Sequence, residues 1–261
     1  MATVQSPSEL ADADIAVSGE HTQLRRGPGG QLAVIQEHHA ESLPVEFPFA
    51  KVRTLRPGLA LVVAPRCEHG QPNAYVVAVP GGLLRAFHIG DAVQDVLVCG
   101  GLLVVTYFDE GVFGSGTLGP EGLAVFDLEG HLQWGYRTQF GSAGVDISDC
   151  YCACTDGAQR VWFHPYTKFP VVELDVATRR QRVLQVPKFL RGSTGLTTDG
   201  RVFVFHSPNA AKSELVRWAP GEAHAMPAGR ETSHLRGLWG LRFLRMAATG
   251  YDVIVPSGVA A

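Results

Sequence analysis

One pattern recurs along the chain and restricts its fold more than any other. It is a strand, a tight turn ending in glycine, and then a strand rich in β-branched and aromatic residues. It is found in KVRTLRPG-LALVVAP, QDVLVCGG-LLVVTYF, CYCACTDG-AQRVWFH, GLTTDG-RVFVFHS and LRMAATG-YDVIVPS, whose marking glycines are Gly58, Gly101, Gly157, Gly200 and Gly250. The interval is roughly 40–55 residues, typical of units that bury their apolar faces by stacking on one another. Most of these hairpins are followed by a second, as in NAYVVAVPGGLLRAFHI, GLAVFDLEGHLQWGYR, PVVELDVATRRQRVLQV and ELVRWAPGEAHAMPA. Four antiparallel strands per unit make the blade of a β-propeller, and residues 93–137 read as one complete blade. No window shows sustained helical periodicity, which sets aside an α/β fold.

The reading yields about 21 strands, so five four-stranded blades are expected, with six as the alternative. The carboxyl-terminal LRFLRMAATG and YDVIVPSG supply an inner pair of strands, and DIAVSGEH and QLAVIQEH near the amino terminus supply the outer pair. The two ends are therefore expected to share a blade and close the ring, which leaves few open strand edges. QLRRGPGG reads as a loop, and SLPVEFPF as an edge strand because of its two prolines. Residues 1–11 are expected to be loose, and residues 12–261 to form a single all-β domain.

Charge and cysteine usage narrow the class of partner. With 22 basic and 25 acidic residues the net charge is −3, which gives no basic footprint for nucleic acid. No apolar run is long enough for a membrane-spanning helix, and MATVQSPSELADAD lacks the basic start and apolar core of a signal peptide. The five cysteines do not read as a disulfide framework. Cys150, Cys152 and Cys154 alternate, so on a regular strand all three point the same way, as reduced, buried thiols. A cytoplasmic location, away from membranes, is the expectation.

Function is expected on one face of the ring. The hairpin turns are short on one side, whereas PRCEHGQPN, FDEGVFGSGTLGPEG, HPYTKFP, TQFGSAGVDISD and PKFLRGS are long and chemically varied. Long loops on a rigid scaffold are where binding residues concentrate. The candidate binding residues there are Asp95, Tyr107, Asp109, Glu110, Phe113, Asp149, Tyr151, His164, Tyr166, Lys168 and Phe169. The carboxylates are open to three readings: caps on loop backbones, contacts to a partner, or hard oxygen ligands for Ca²⁺. No cofactor is expected beyond that ion.

Gly114-x-Gly116-x-x-Gly119 matches a dinucleotide fingerprint, but Pro120 and a strand follow where a helix N-terminus is needed. Cys-x-Cys on a strand lacks the second pair of a zinc site, and the common hydrolase motifs are missing. No catalytic residue is assigned. Trp134, Trp162, Trp218 and Trp239 read as packing between blades.

The segments YFDEGVFG (residues 107–114), DCYC (149–152) and YTKFP (166–170) resemble those of a group of uncharacterised bacterial β-propeller-like proteins. The resemblance covers residues 59 to about 176. It implies a propeller fold and marks these loops as part of the group's pattern, with no activity attached. The expected function is a non-catalytic binding module that takes a protein partner or small ligand on the long-loop face, as a scaffold or immunity-type protein. The alternative is a metal-dependent hydrolase of the lactonase or esterase type. In it Asp95, Asp109, Glu110 and Asp149 would be ligands at the channel mouth, with His164 as base.

Overall fold

Six glycines at positive φ, Gly19, Gly58, Gly101, Gly157, Gly200 and Gly240, each turn one strand back on the next, a conformation that costs a residue with a Cβ. Each such hairpin opens a separate sheet, and the computed structural model is a six-bladed β-propeller. It describes residues 9–258 apart from 69, 208–212, 223 and 248.

Blade 1 consists of β1 (Glu9–Ile15), β2 (His21–Arg26), β3 (Leu32–Gln36) and β4 (His39–Ser42). Blade 2 holds β5 (Lys51–Arg56), β6 (Leu59–Val63), β7 (Ala74–Ala78) and β8 (Gly82–Phe87), and blade 3 β9 (Val93–Cys99), β10 (Leu102–Tyr107), β11 (Leu123–Phe126) and β12 (Leu132–Gly135). Blade 4 is made of β13 (Asp149–Thr155), β14 (Arg160–Tyr166), β15 (Val171–Asp175) and β16 (Arg180–Leu184). In blade 5 are β17 (Gly195–Thr198), β18 (Phe203–His206), β19 (Glu214–Trp218) and β20 (Met226–Arg230). Blade 6 has three strands among the described residues, β21 (Leu235–Leu238), β22 (Arg242–Met246) and β23 (Tyr251–Ile254). Every pairing is antiparallel and sequential, and the first strands of the blades surround a central channel.

The core divides into six clusters, one at each junction between neighbouring blades. In blades 2 to 6 the second strands serve two of them by simple alternation. Leu103 and Val105 pack toward blade 2 and Val104 toward blade 4, while Ala60 and Val62 face blade 1 and Leu61 and Val63 face blade 3. A strand buried on both sides has no polar face, which is why LALVV and LLVVTY read as continuous apolar runs. Trp134, Trp162 and Trp218 lie in these junctions, and Trp239 stacks on Trp162 with ring centroids 5.3 Å apart. The junction of blades 1 and 6 is the smallest, with Ala13, Ile15, Leu238 and Leu244.

Two misread strands account for the expected five blades. QLRR is the heart of β2, not a loop: its polar sequence hides the alternation that buries Thr22 and Leu24. LRMAATG-YDVIVPS is the second hairpin of blade 6, because the inner strand there is the short LRGL of β21. The amino-terminal strands therefore form a complete blade of their own, and no strand shared between the two ends is seen among the described residues. SLPVEFPF links blades 1 and 2, with Leu43, Val45 and Phe47 on their shared cluster. β1 begins at Glu9, inside the stretch expected to be loose, and residues 1–8 lie outside the described residues.

The channel is crossed by a belt of charge. The Val52 N–H donates to Asp12 Oδ2 at 2.8 Å and the Thr54 N–H to Asp14 Oδ2 at 2.7 Å, so β1 carboxylates satisfy the open edge of β5. Arg53 Nε donates to the Val96 carbonyl at 2.7 Å, and its remaining nitrogens pair with Asp12 and Asp95. Arg236 reaches across from blade 6 to the Ala13 carbonyl at 3.0 Å and Asp14 Oδ1 at 2.7 Å. Burial would raise the carboxyls of Asp14 and Asp95, but the neighbouring cations outweigh it and hold both below their ordinary value. Replacing Arg53 by Met should cost about 3–5 kcal/mol, because buried carboxylates lose their partner. The urea midpoint checks this, and an unchanged midpoint would show that the belt carries no stability.

Candidate functional site

The first strands start on the face that carries the long loops, and three of them bulge close to that end. In β1 the extra residue is Ala11, in β9 it is Gln94, and in β13 it is Tyr151. A bulge opposes two residues to one and re-aims the side chains beyond it. In β13 it separates the cysteines: Cys150 packs against blade 3, whereas Cys152 and Cys154 pack against blade 5. The three thiols do not share a side, contrary to the alternation expected of a regular strand. All five cysteines are free.

The bulged Tyr151 stands between the channel and an aromatic group at the rim of blade 4. Its ring lies 6.4 Å from Tyr166, nearly parallel, and 5.1 Å from Phe169, edge-on. Tyr166 and Phe169 are themselves 5.3 Å apart. Phe169 adopts a φ of 54°, a backbone state that L residues rarely take. His164 lies beneath, wholly buried, its ring 5.4 Å from Phe169 and its Nδ1–H donating to the Pro170 carbonyl at 2.9 Å. Burial pushes the His164 imidazole down to about 4, so it is neutral at physiological pH and braces the turn from below.

Beside the rings stands an acidic pair. Asp109 opens the short helix α1 (Asp109–Val112), whose Glu110 N–H donates to its Oδ1 at 2.8 Å. Asp149, half-buried at the start of β13, is pushed up to about 6, first by burial and then by the charge of Asp109. Glu110 turns the other way and pairs with Arg66, which also binds Asp91. Lys168 is exposed in the turn after β14. Phe113, after α1, and Phe189, in the link from blade 4 to blade 5, are 73% and 63% exposed.

Besides the buried His164, two more residues expected on this surface lie elsewhere. Tyr107 is buried in the junction of blades 2 and 3, its hydroxyl donating to the Ile89 carbonyl at 2.6 Å, so it is a core residue. Asp95 belongs to the channel belt rather than to the rim. Asp95, Asp109, Glu110 and Asp149 therefore do not converge, and among the described residues no three His, Cys, Asp or Glu side chains gather as ligands. With His164 sealed beneath Phe169, the hydrolase reading has neither an assembled ligand set nor an accessible base. Gly119 opens a single 3₁₀ turn before β11, so the Gly-x-Gly-x-x-Gly segment leads into a strand.

The channel holds two cavities separated by Arg53 and Arg236. The upper, of about 240 Å³, is lined by Lys51, Gln94, Asp95, Tyr151, Thr194 and His234, among others. The lower, of about 380 Å³, has a more apolar wall with Leu55, Leu97, Leu238 and Trp239. Sequence reasoning missed Lys51, Gln94, His234 and Arg236. The signal was there in the Asp-x-Asp of ELADADI and the Lys-x-Arg of KVRTLR, charges at alternate positions of strands that must line the axis.

No family model and no curated protein matches the chain. Solved structures do. The extracellular domain of BT4673, assigned to a one-component system of B. thetaiotaomicron, superposes with a TM-score of 0.53 at 10% identity, over 94% of this chain and 34% of that one. KlAtg21, solved in complex with the coiled-coil of AgAtg16, gives a TM-score of 0.53 at 11% identity, over 95% of this chain and 81% of that one. The chain thus spans about a third of the first of these and most of the second. At such identities the likeness is one of propeller fold.

Asp109→Asn should bring the Asp149 carboxyl down from about 6 toward its ordinary 3.8, part way because burial remains. A carboxyl ¹³C NMR titration reads this, and an unmoved midpoint would mean that the two charges do not interact. Because the folded-state value is the raised one, the stability Asp149 contributes is present below 3.8 and lost as pH rises through about 6. Asp149→Asn should remove that loss.

Proposed function

We propose that the protein is a non-catalytic binding module whose long-loop face takes a protein partner. The observation that carries this is the rim of blade 4, where the rings of Tyr151, Tyr166 and Phe169 stand exposed or half-exposed beside the carboxylates of Asp109 and Asp149. Aromatic side chains held in place by one another lose little entropy on contact and dominate binding energy when covered. A ring face beside two carboxylates suits a cation on an apolar stem, so the anchor expected from the partner is an arginine or lysine. Phe113 and Phe189 extend the apolar area on either side.

The raised carboxyl of Asp149 belongs to the same reading. Two like charges held close are costly until a cation arrives, so binding should strengthen as pH rises through about 6. Atg21 in complex with a coiled coil supports the idea that a scaffold of this course can hold a protein partner. The loops involved are those shared with the bacterial propeller-like group, which suits a scaffold or immunity-type role. Five free cysteines favour a reducing compartment.

Tyr166→Ala and Asp109→Lys should each abolish capture of the partner from a lysate while moving the melting temperature little, since both side chains lie at the surface. A hot-spot aromatic costs about 2 kcal/mol or more when truncated. Retention of the captured protein by both variants would overturn the proposal.

A further inference from the structure

The upper channel cavity carries hydrogen-bond donors that the fold leaves unused. Lys51, on β5, donates no hydrogen bond and closes no ion pair among the described residues; it feels Asp95 and Asp12 only through the field. The acceptors nearest to it are engaged elsewhere, Asp12 Oδ2 by the Val52 N–H and Arg53, and Asp95 Oδ1 by the Val96 N–H and Arg53. Arg236 Nε and Thr194 Oγ1 are both buried without a partner, and both residues line this same cavity. A buried donor left unmade costs about 1–3 kcal/mol, so two such groups beside the unbonded ammonium of Lys51 need an explanation.

The bulges add to this. They place Gln94 and Tyr151 on the same wall, and exposed His234 stands where the cavity meets solvent. The residues that carry these donors line a space of about 240 Å³, below the range for drug-sized ligands. The three carboxylates of the belt, Asp12, Asp14 and Asp95, are balanced in charge by Arg53, Arg236 and Lys51, but of these cations Lys51 alone makes no hydrogen bond to them.

We propose that the upper channel cavity is a binding site for a small oxyanion, a carboxylate or phosphate group, held by Lys51, Arg236 Nε and the Thr194 hydroxyl. Charge-assisted hydrogen bonds from an ammonium and a guanidinium are the strong kind. The site lies inside the ring and does not rest on the partner reading of the outer rim. Burial pushes the Lys51 amine below its ordinary value in the free protein, and a bound anion would restore it.

The test is a melting curve and calorimetric titration with inorganic phosphate and with acetate, against sodium chloride at matched ionic strength. Phosphate or acetate should raise the melting temperature beyond the chloride control, in proportion to RT ln(1 + [L]/Kd). Whichever binds more tightly assigns the group. Lys51→Met should weaken binding by about tenfold or more, Lys51→Arg should retain most of it, and Thr194→Val should weaken it with the belt intact. Tyr166→Ala should leave anion binding unchanged, which separates this site from the outer rim. No stabilisation by either anion beyond chloride would overturn the proposal, as would equal stabilisation of the wild type, Lys51→Met and Thr194→Val.

Discussion

A ring of separate sheets has one constraint that a single sheet does not: the first strand of every blade presents an unpaired backbone edge to the axis. Those N–H and C=O groups lie deep in the molecule, where an unmade hydrogen bond is expensive. Here the edges are closed by side chains from the neighbouring blade. Asp12 and Asp14 take the N–H groups of β5, Arg53 takes a carbonyl of β9, Arg236 a carbonyl of β1, and the Thr197 hydroxyl the carbonyl of Leu238. Because each bond joins two blades, the belt also fixes how neighbours are set about the axis. Apolar packing at the six junctions supplies most of the stabilisation; the belt supplies register.

The same constraint accounts for the channel being polar and the junctions dry. A middle strand buried on both sides favours apolar residues and takes a polar one only where it is hydrogen-bonded, whereas an inner strand must spend some positions on long charged side chains. Thr22 shows the compromise on a smaller scale, bonding Thr54 at 2.7 Å and accepting from Gln36 at 2.8 Å between blades 1 and 2. Where a cation has no backbone edge to satisfy, as at Lys51, it balances the belt's charge while its N–H donors stay unbonded.

How much of this fold is legible in the sequence depends on which strands carry their pattern openly. The doubly buried strands of blades 2 to 5 do, because an apolar run between glycines has few other readings. Blade 1 does not, since HTQLRR spends its polar residues on bonds within the ring. In blade 6 the four-residue LRGL is too short to compete with the longer RFLRM beside it. On the rim, the position of the long loops identifies Asp109, Asp149, Tyr151, Tyr166 and Phe169 as neighbours. It places Tyr107 and His164 there too, because a strand's last residues belong to the loop in sequence but to the core in space. The channel donors escape notice because their meaning depends on six strands converging on one axis, which no local window contains.

The bulge at Tyr151 has a consequence for how such a surface can change over generations. Cys150 and Cys152 sit on either side of it and pack into different junctions. The side chain at 151 can be exchanged without touching either junction. Losing the residue would send Cys152 and Cys154 to the wrong side and misfit the blade against blade 5. At this point of the mouth, chemistry is free to drift while chain length is frozen, so new specificities here should arise by replacement rather than by insertion or deletion.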